Sequence, residues 1–141
     1  MHYYIEPEVA GGLGETSIID TSCHPPKITR LEYKFEGWLG DDLLEGFPCF
    51  IVTKRLADAI SKKRLSGFCL KPLKISKSEN FLELYPDLKL PDFKWLEIVG
   101  SAGVDDLGLA ENHILVVSEL ALNVFKELKI NQAELKAFPE N

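Results

Sequence analysis

The chain has 141 residues, 45% of them hydrophobic and 27% charged, which excludes a disordered polypeptide and fits one compact domain over 1–141 with a shared core. Its formal net charge of −6 hides an uneven distribution: residues 1–49 carry nine acidic and three basic side chains, 50–78 one acidic and eight basic, and 79–141 twelve acidic and five basic. An acidic chain lacks the phosphate-neutralising charge that general nucleic-acid binding needs, and only the Lys54–Lys77 island could make such contact.

In chain order, His2–Glu6 is short, aromatic and β-branched, and predicts an N-terminal strand closed by Pro7. Ala10-Gly11-Gly12-Leu13-Gly14-Glu15 reads as a flexible loop without the Lys-Ser/Thr ending of a phosphate loop or the spacing of a dinucleotide loop. Cys23-His24-Pro25-Pro26 reads as an extended elbow, because a residue before proline is pushed out of the helical region. Thr29–Glu36 alternates Leu31, Tyr33 and Phe35 with charged residues, the pattern of a half-exposed strand. Phe50-Ile51-Val52 predicts a buried strand, Thr53 a helix N-cap, and Leu56, Ala57 and Ile60 the inner face of the helix that follows. Lys62, Lys63 and Arg64 complement that helix's negative end. Phe68–Ile75 returns as a strand, with Pro72 marking an edge or a bulge. Phe81–Tyr85 and Phe93–Val99 read as further strands joined by a turn at 86–91. Leu115-Val116-Val117 then leads to the cap Ser118, a helix with Leu120, Ala121, Val124, Phe125 and Leu128 on one stripe and Lys129 near its end, and a last strand over Gln132–Phe138.

That order is written twice. Residues 26–75 align with 91–138 at an offset of 65, matching Pro26 with Pro91, Leu31 with Leu96 and Thr53 with Ser118, with a slip through Gly37/Gly100, Gly40/Gly103 and Asp41-Asp42-Leu43/Asp105-Asp106-Leu107. The expected fold is α+β: two pseudo-repeated strand-helix-strand units around a mixed or antiparallel sheet, with an additional N-terminal strand.

No residue set forms a catalytic signature. His2, His24 and His113 are far apart and no serine or cysteine beside them sits in a nucleophile motif. Cys23, Cys49 and Cys69 have no Cys-x-x-Cys spacing, so neither a disulfide framework nor a structural zinc site is expected, and chelator should leave folding unchanged. The Asp41-Asp42 and Asp105-Asp106 pairs admit three readings: turn-forming acceptors of backbone amides, a protein-binding surface, or a metal or catalytic role as ligands for a hard cation or as general acid and base. Trp95 reads as core, and Trp38 as either core or binding anchor. No stretch reaches the roughly 18 apolar residues of a membrane span, and Met1–Glu6 lacks the basic start of a signal peptide. Cytoplasmic placement with reduced thiols is the expectation.

Phe50-Ile51-Val52-Thr53-Lys54-Arg55-Leu56-Ala57-Asp58-Ala59-Ile60 followed by Leu65-Ser66-Gly67-Phe68 resembles the strand, capped helix and Leu-x-Gly-Phe strand of bacterial immunity proteins from polymorphic and contact-dependent toxin systems. Its recurrence from Leu115 to Leu122, through Ile130 and Phe138, is similar to the myxobacterial double-CxxCG paralogues and their relatives, although this chain has no CxxCG. The resemblance implies a small cytosolic antidote, not an enzyme and without a cofactor, that binds a cognate protein toxin and occludes its active or substrate site. The alternative is an intracellular protein- or ligand-binding regulatory module. Acidic loops beside an aromatic make Trp38, Asp41, Asp42, Glu45, Asp105, Asp106 and Glu111 the candidate partner surface, facing a basic toxin region, with the Lys54–Lys77 island as the competing surface.

Overall fold

The computed structural model describes residues 1–23 and 26–139, so His24 and Pro25 of the expected elbow lie outside the described residues. The strands are β1 (His2–Glu6), β2 (Gly11–Leu13), β3 (Ile18–Asp20), β4 (Lys27–Arg30), β5 (Glu32–Phe35), β6 (Leu43–Gly46), β7 (Cys49–Thr53), β8 (Phe68–Lys71), β9 (Lys74–Lys77), β10 (Phe93–Ile98), β11 (Leu107–Leu109), β12 (Leu115–Ser118) and β13 (Glu134–Ala137). The helices are α1 (Lys54–Lys62), α2 (Glu79–Leu84) and α3 (Glu119–Lys126), giving a mixed α+β fold with an N-terminal strand. Two four-stranded antiparallel sheets, ordered β6-β7-β10-β8 and β11-β12-β1-β13, form the body. A three-stranded sheet β2-β5-β9, in which β5 and β9 are parallel, and a β3-β4 ribbon complete it.

Burial follows strand alternation. On β7, Phe50 and Val52 join α1, α3 and both four-stranded sheets in one core around Leu56, Ile60, Leu107, Val117 and Phe125. Cys49 and Ile51 on its other face join a second core with Tyr33, Phe35, Phe81, Phe93 and Trp95. All five residues of β7 are therefore buried, which its unbroken apolar run Cys49-Phe50-Ile51-Val52 encodes.

Both 50–73 and 115–138 contain strand, helix and strand, and the caps fall as expected. Thr53 Oγ1 accepts from Leu56 N at 3.4 Å, and Ser118 Oγ from Ala121 N at 3.1 Å. In each four-stranded sheet the strand lying between the unit's own strands comes from outside that unit: β10 sits between β7 and β8, and β1 between β12 and β13. A duplication of 26–75 in 91–138 is not confirmed, because its leading parts differ: β5 pairs with β2 and β9, whereas β10 pairs with β7 and β8.

Four local expectations are corrected. The glycine segment is not a flexible loop but contains β2, which pairs with β5 so closely that a Cβ on Gly11 would collide with the Lys34 carbonyl. Thr29–Glu36 splits at Leu31 into β4 and β5, and its alternation fails at Glu32, only 5% exposed. That carboxylate accepts from Ser76 Oγ at 2.5 Å, from the Thr16 hydroxyl and from Thr16 N at 2.9 Å, which hold its pKa down to about 2. The strand expected over Phe68–Ile75 ends at Lys71, and after Pro72 the chain enters a different sheet as β9. Phe81–Tyr85 is largely helical: Ser78 Oγ accepts from Phe81 N at 3.0 Å, and this cap with Glu79 in the first turn overrides the short apolar run.

The helix buries Phe81 completely while Leu82 stays 53% exposed. Urea unfolding should show Phe81→Ala costing about 3–5 kcal/mol and Leu82→Ala no more than about 0.5 kcal/mol; similar costs for the two would contradict this packing of the helix.

Candidate functional site

Gly40 adopts φ 106°, a conformation glycine takes without strain, and the chain then carries Asp41 and Asp42 inward, each 1% exposed. Asp42 Oδ1 accepts from Thr53 Oγ1 at 2.5 Å and Arg55 Nε at 2.7 Å, while Oδ2 accepts from a terminal Arg55 nitrogen at 2.7 Å and from Lys129 N at 2.8 Å. The main chain doubles the tie, since Asp42 N donates to Lys129 O at 2.7 Å and Thr53 N to Asp42 O at 2.9 Å. Burial works to raise the Asp42 pKa, but the Arg55, Thr53 and Lys129 donors outweigh it and hold it below the usual 3.8. Asp41 accepts from Asn131 N at 3.0 Å and Gln132 N at 2.7 Å, and its carbonyl takes the Trp38 indole N–H at 2.9 Å.

The second pair repeats the logic in the opposite direction. Asp106 accepts from Ser118 Oγ at 2.6 Å and from Ser66 N at 2.9 Å, Ser118 N donates to Asp106 O at 2.8 Å, and Leu107 N donates to Ser66 O at 3.0 Å. Burial tends to raise the Asp106 pKa, yet donation from Ser118 and Ser66 leaves it lowered. Each aspartate thus fixes its own helix cap and the segment that follows the other helix: Asp42 holds Lys129 beyond α3, and Asp106 holds Ser66 beyond α1. Asp105 closes a local turn by accepting from Ser101 N at 2.8 Å, and Gly103 in that turn has φ 80°.

The burial of Asp41 and Asp42 corrects their expected place on an exposed acidic surface. Asp41 and Asp42 are spent inside the fold, so they present no carboxylate to a partner. Asp105 and Asp106 are half-buried and committed to backbone donors, and Glu45 is half-buried in β6, where desolvation and nearby Glu6 raise its pKa. Glu111 is exposed in the turn before β12. Trp38, Asp41 and Asp42 are brought together by direct contact; Trp38 is half-buried, edge-on to Phe93 at 6.0 Å, while Trp95 is core at 6% exposed.

Beside Trp38 opens a cleft of about 680 Å³, lined by the Asp42–Arg55 pair, Lys54, Lys89, Asp92 and Lys129. The Arg55 side chain is 57% exposed yet gripped by Asp42 through two nitrogens, so its planar group is held in place at the cleft wall. Lys54 donates to Asp58 at 2.8 Å, and Lys89 and Lys129 are exposed. The sequence reading missed Lys89 and Lys129, which lie far from the basic island and reach the site only through folding; Arg55, two residues past the cap, was the available signal. In this unit Arg55 follows Thr53 by two, whereas the residue two past Ser118 is Leu120, so the second aspartate has no matching guanidinium.

The remaining reactive groups lie elsewhere. His2 Nε2 is 3.1 Å from Asp105 O, and His113 lies edge-on to Phe47 at 5.3 Å between ring centres. His24 is outside the described residues. All three cysteines are free; buried Cys49 donates to Gly46 O at 2.9 Å, and burial pushes its thiol up to about 12, far from a thiolate nucleophile. Among the described residues no group of three or more His, Cys, Asp or Glu side chains is disposed to hold a metal, and no helix is long and apolar enough to cross a membrane. In comparisons with known proteins, the chain matches no family model and no curated protein.

Removing the clamp should be costly. Asp42→Ala, which leaves Lys129 N and the Thr53 hydroxyl without their acceptor while Arg55 stays solvated, is expected to lower unfolding stability by about 2–4 kcal/mol, and Asp106→Ala, half-buried and without an arginine, by about 1–3 kcal/mol. Glu32, Asp42 and Asp106 have folded-state pKa values below their ordinary values of 4.5, 3.8 and 3.8, so the stability they contribute is complete above those values. It drains away as pH falls from about 4.5 towards 2. Glu8 and Glu45, both raised by burial, act in the opposite sense, because their protonation on acidification favours the fold. The melting temperature should therefore stay level or rise slightly on approach to pH 5 and then drop steeply, and Asp42→Asn should flatten that acid limb.

Proposed function

We propose that this protein acts by binding another protein, and that it is a cytosolic immunity protein that neutralises a toxin by covering its active or substrate-binding site. The observation that carries the reading is the preformed cleft in which Trp38 and Arg55 are held by Asp41 and Asp42. Tryptophan and arginine are the side chains that most often dominate binding energy, and anchors already ordered in the free protein lose less freedom on association. The resemblance of Phe50–Phe68 to immunity proteins supplies the class of partner.

With Asp41 and Asp42 buried, this reading takes the cationic rim rather than the acidic loops as the surface offered to the toxin. Lys54, Arg55, Lys89 and Lys129 outnumber Asp42 and Asp92 around the cleft, so an acidic segment of the toxin is the complementary partner. Rim charges act mainly on encounter, whereas the desolvated aromatic acts on residence.

Co-expression with a candidate protein toxin encoded next to its gene should restore growth. In folded variants, Lys89→Glu with Lys129→Glu should slow association about tenfold and make it less sensitive to salt, and Trp38→Ala should speed dissociation. Glu111→Lys should change neither. Failure of the wild-type chain to restore growth would contradict the immunity reading, and unaltered binding by the rim variants would contradict the placement of the surface.

A further inference from the structure

Among the described residues the outer edge of β13 is open: β13 pairs with β1 alone, and Glu134, Leu135, Lys136 and Ala137 are all exposed. Phe138 N donates to His2 O at 2.9 Å, and the register Tyr4↔Lys136 and Glu6↔Glu134 keeps residues 134, 136 and 138 in phase with that bond. An antiparallel ladder alternates, so the main-chain amides and carbonyls of Leu135 and Ala137 point away from β1. Unpaired edges of this kind are templates for another strand.

We propose that β13 pairs antiparallel with β13 of a second copy of this chain, about a twofold axis through Leu135, joining two four-stranded sheets into one of eight. The segment Ala133-Glu134-Leu135-Lys136-Ala137 is complementary to itself in reverse. Leu135 meets Leu135 in a hydrogen-bonded pair that uses its outward amide and carbonyl, and the Ala137 amide of each copy reaches the Ala133 carbonyl of the other. Glu134 and Lys136 then fall opposite Lys136 and Glu134 of the second copy in non-hydrogen-bonded pairs, where side chains lie closest. The outward phase of Leu135 and Ala137 also permits the two neighbouring registers, but these set Glu134 against Glu134 or Lys136 against Lys136. Charge therefore selects the register centred on Leu135, which also covers a side chain left 42% exposed.

The other four-stranded sheet lacks this device. Its corresponding edge strand is β8, and there Lys71 is followed by Pro72 where Lys136 is followed by Ala137. Proline offers no N–H to an added strand. A twofold pairing uses the β13 edge of both copies, so association through it stops at two.

The contact is small, so the dimer should form with rising concentration rather than be permanent. Sedimentation velocity from micromolar to millimolar protein should show mass rising from 15.9 kDa towards twice that value. Glu134→Lys alone and Lys136→Glu alone should each remain monomeric, because each places like charges opposite one another. Mixed in equal amounts, the two variants should dimerise with each other, and the double variant Glu134→Lys/Lys136→Glu should regain self-association. Ala137→Pro, which removes an outward amide and no bond to β1, should be a folded monomer by circular dichroism. A wild-type monomer at every concentration would overturn the proposal and leave the edge to a strand of another protein. A dimer that persists in both single charge variants would overturn it as well, by placing the interface elsewhere.

Discussion

The fold depends on a reciprocal grip by two aspartates. Asp42 and Asp106 each take a hydroxyl donor from the helix cap of their own half, Thr53 or Ser118, and a backbone amide from beyond the helix of the other half, Lys129 or Ser66. Each aspartate has its full set of donors only when the other half's post-helix segment is in place. A carboxylate suits the task because it accepts several bonds at once, and its charge is stabilised by those donors rather than by water. The strand exchange reinforces the same dependence: β1, first in the chain, is an interior strand of the C-terminal sheet, and β10 is an interior strand of the N-terminal one.

The same grip makes the candidate site. Fixing Asp42 fixes Arg55, and fixing Asp41 fixes the Trp38 indole, so the groups that line the cleft are positioned by bonds whose first purpose is to hold the fold together. Acid and base change places relative to the charge pattern of the chain. The carboxylates that look like a displayed surface become internal acceptors, and the cations that looked like a solvated helix face, joined by Lys89 and Lys129, become the accessible rim. The proposed binding face would then have positioned anchors at its centre and exposed charge at its border, an arrangement suited to fast encounter followed by slow release.

Much of this was legible in the residues. Thr53 and Ser118 stand where a β-branched run meets a helical stripe, and that junction specifies strand, cap and helix without help from the rest of the chain. Trp95 in an alternating strand reads as core, and is core. What was not legible depends on partners distant in sequence. Gly11 sits in a strand because Lys34 approaches it, Glu32 is buried because Thr16 and Ser76 reach it, and Asp42 is buried because Lys129 does. Phe81 was legible but misread: the capping Ser78 three residues before it outweighs a short apolar run that strand and helix share. The equivalence of 26–36 with 91–101 failed for a related reason, since matching residues do not determine which strands lie alongside.

Amide hydrogen exchange on Asp42→Asn and Asp106→Asn tests the reciprocal grip most directly. Asp42→Asn should accelerate exchange at Lys129 and through the segment after α3, and Asp106→Asn should do so at Ser66 after α1, each in the half opposite the substitution. Acceleration confined to the substituted half, with Lys129 and Ser66 as protected as in the wild-type protein, would contradict it.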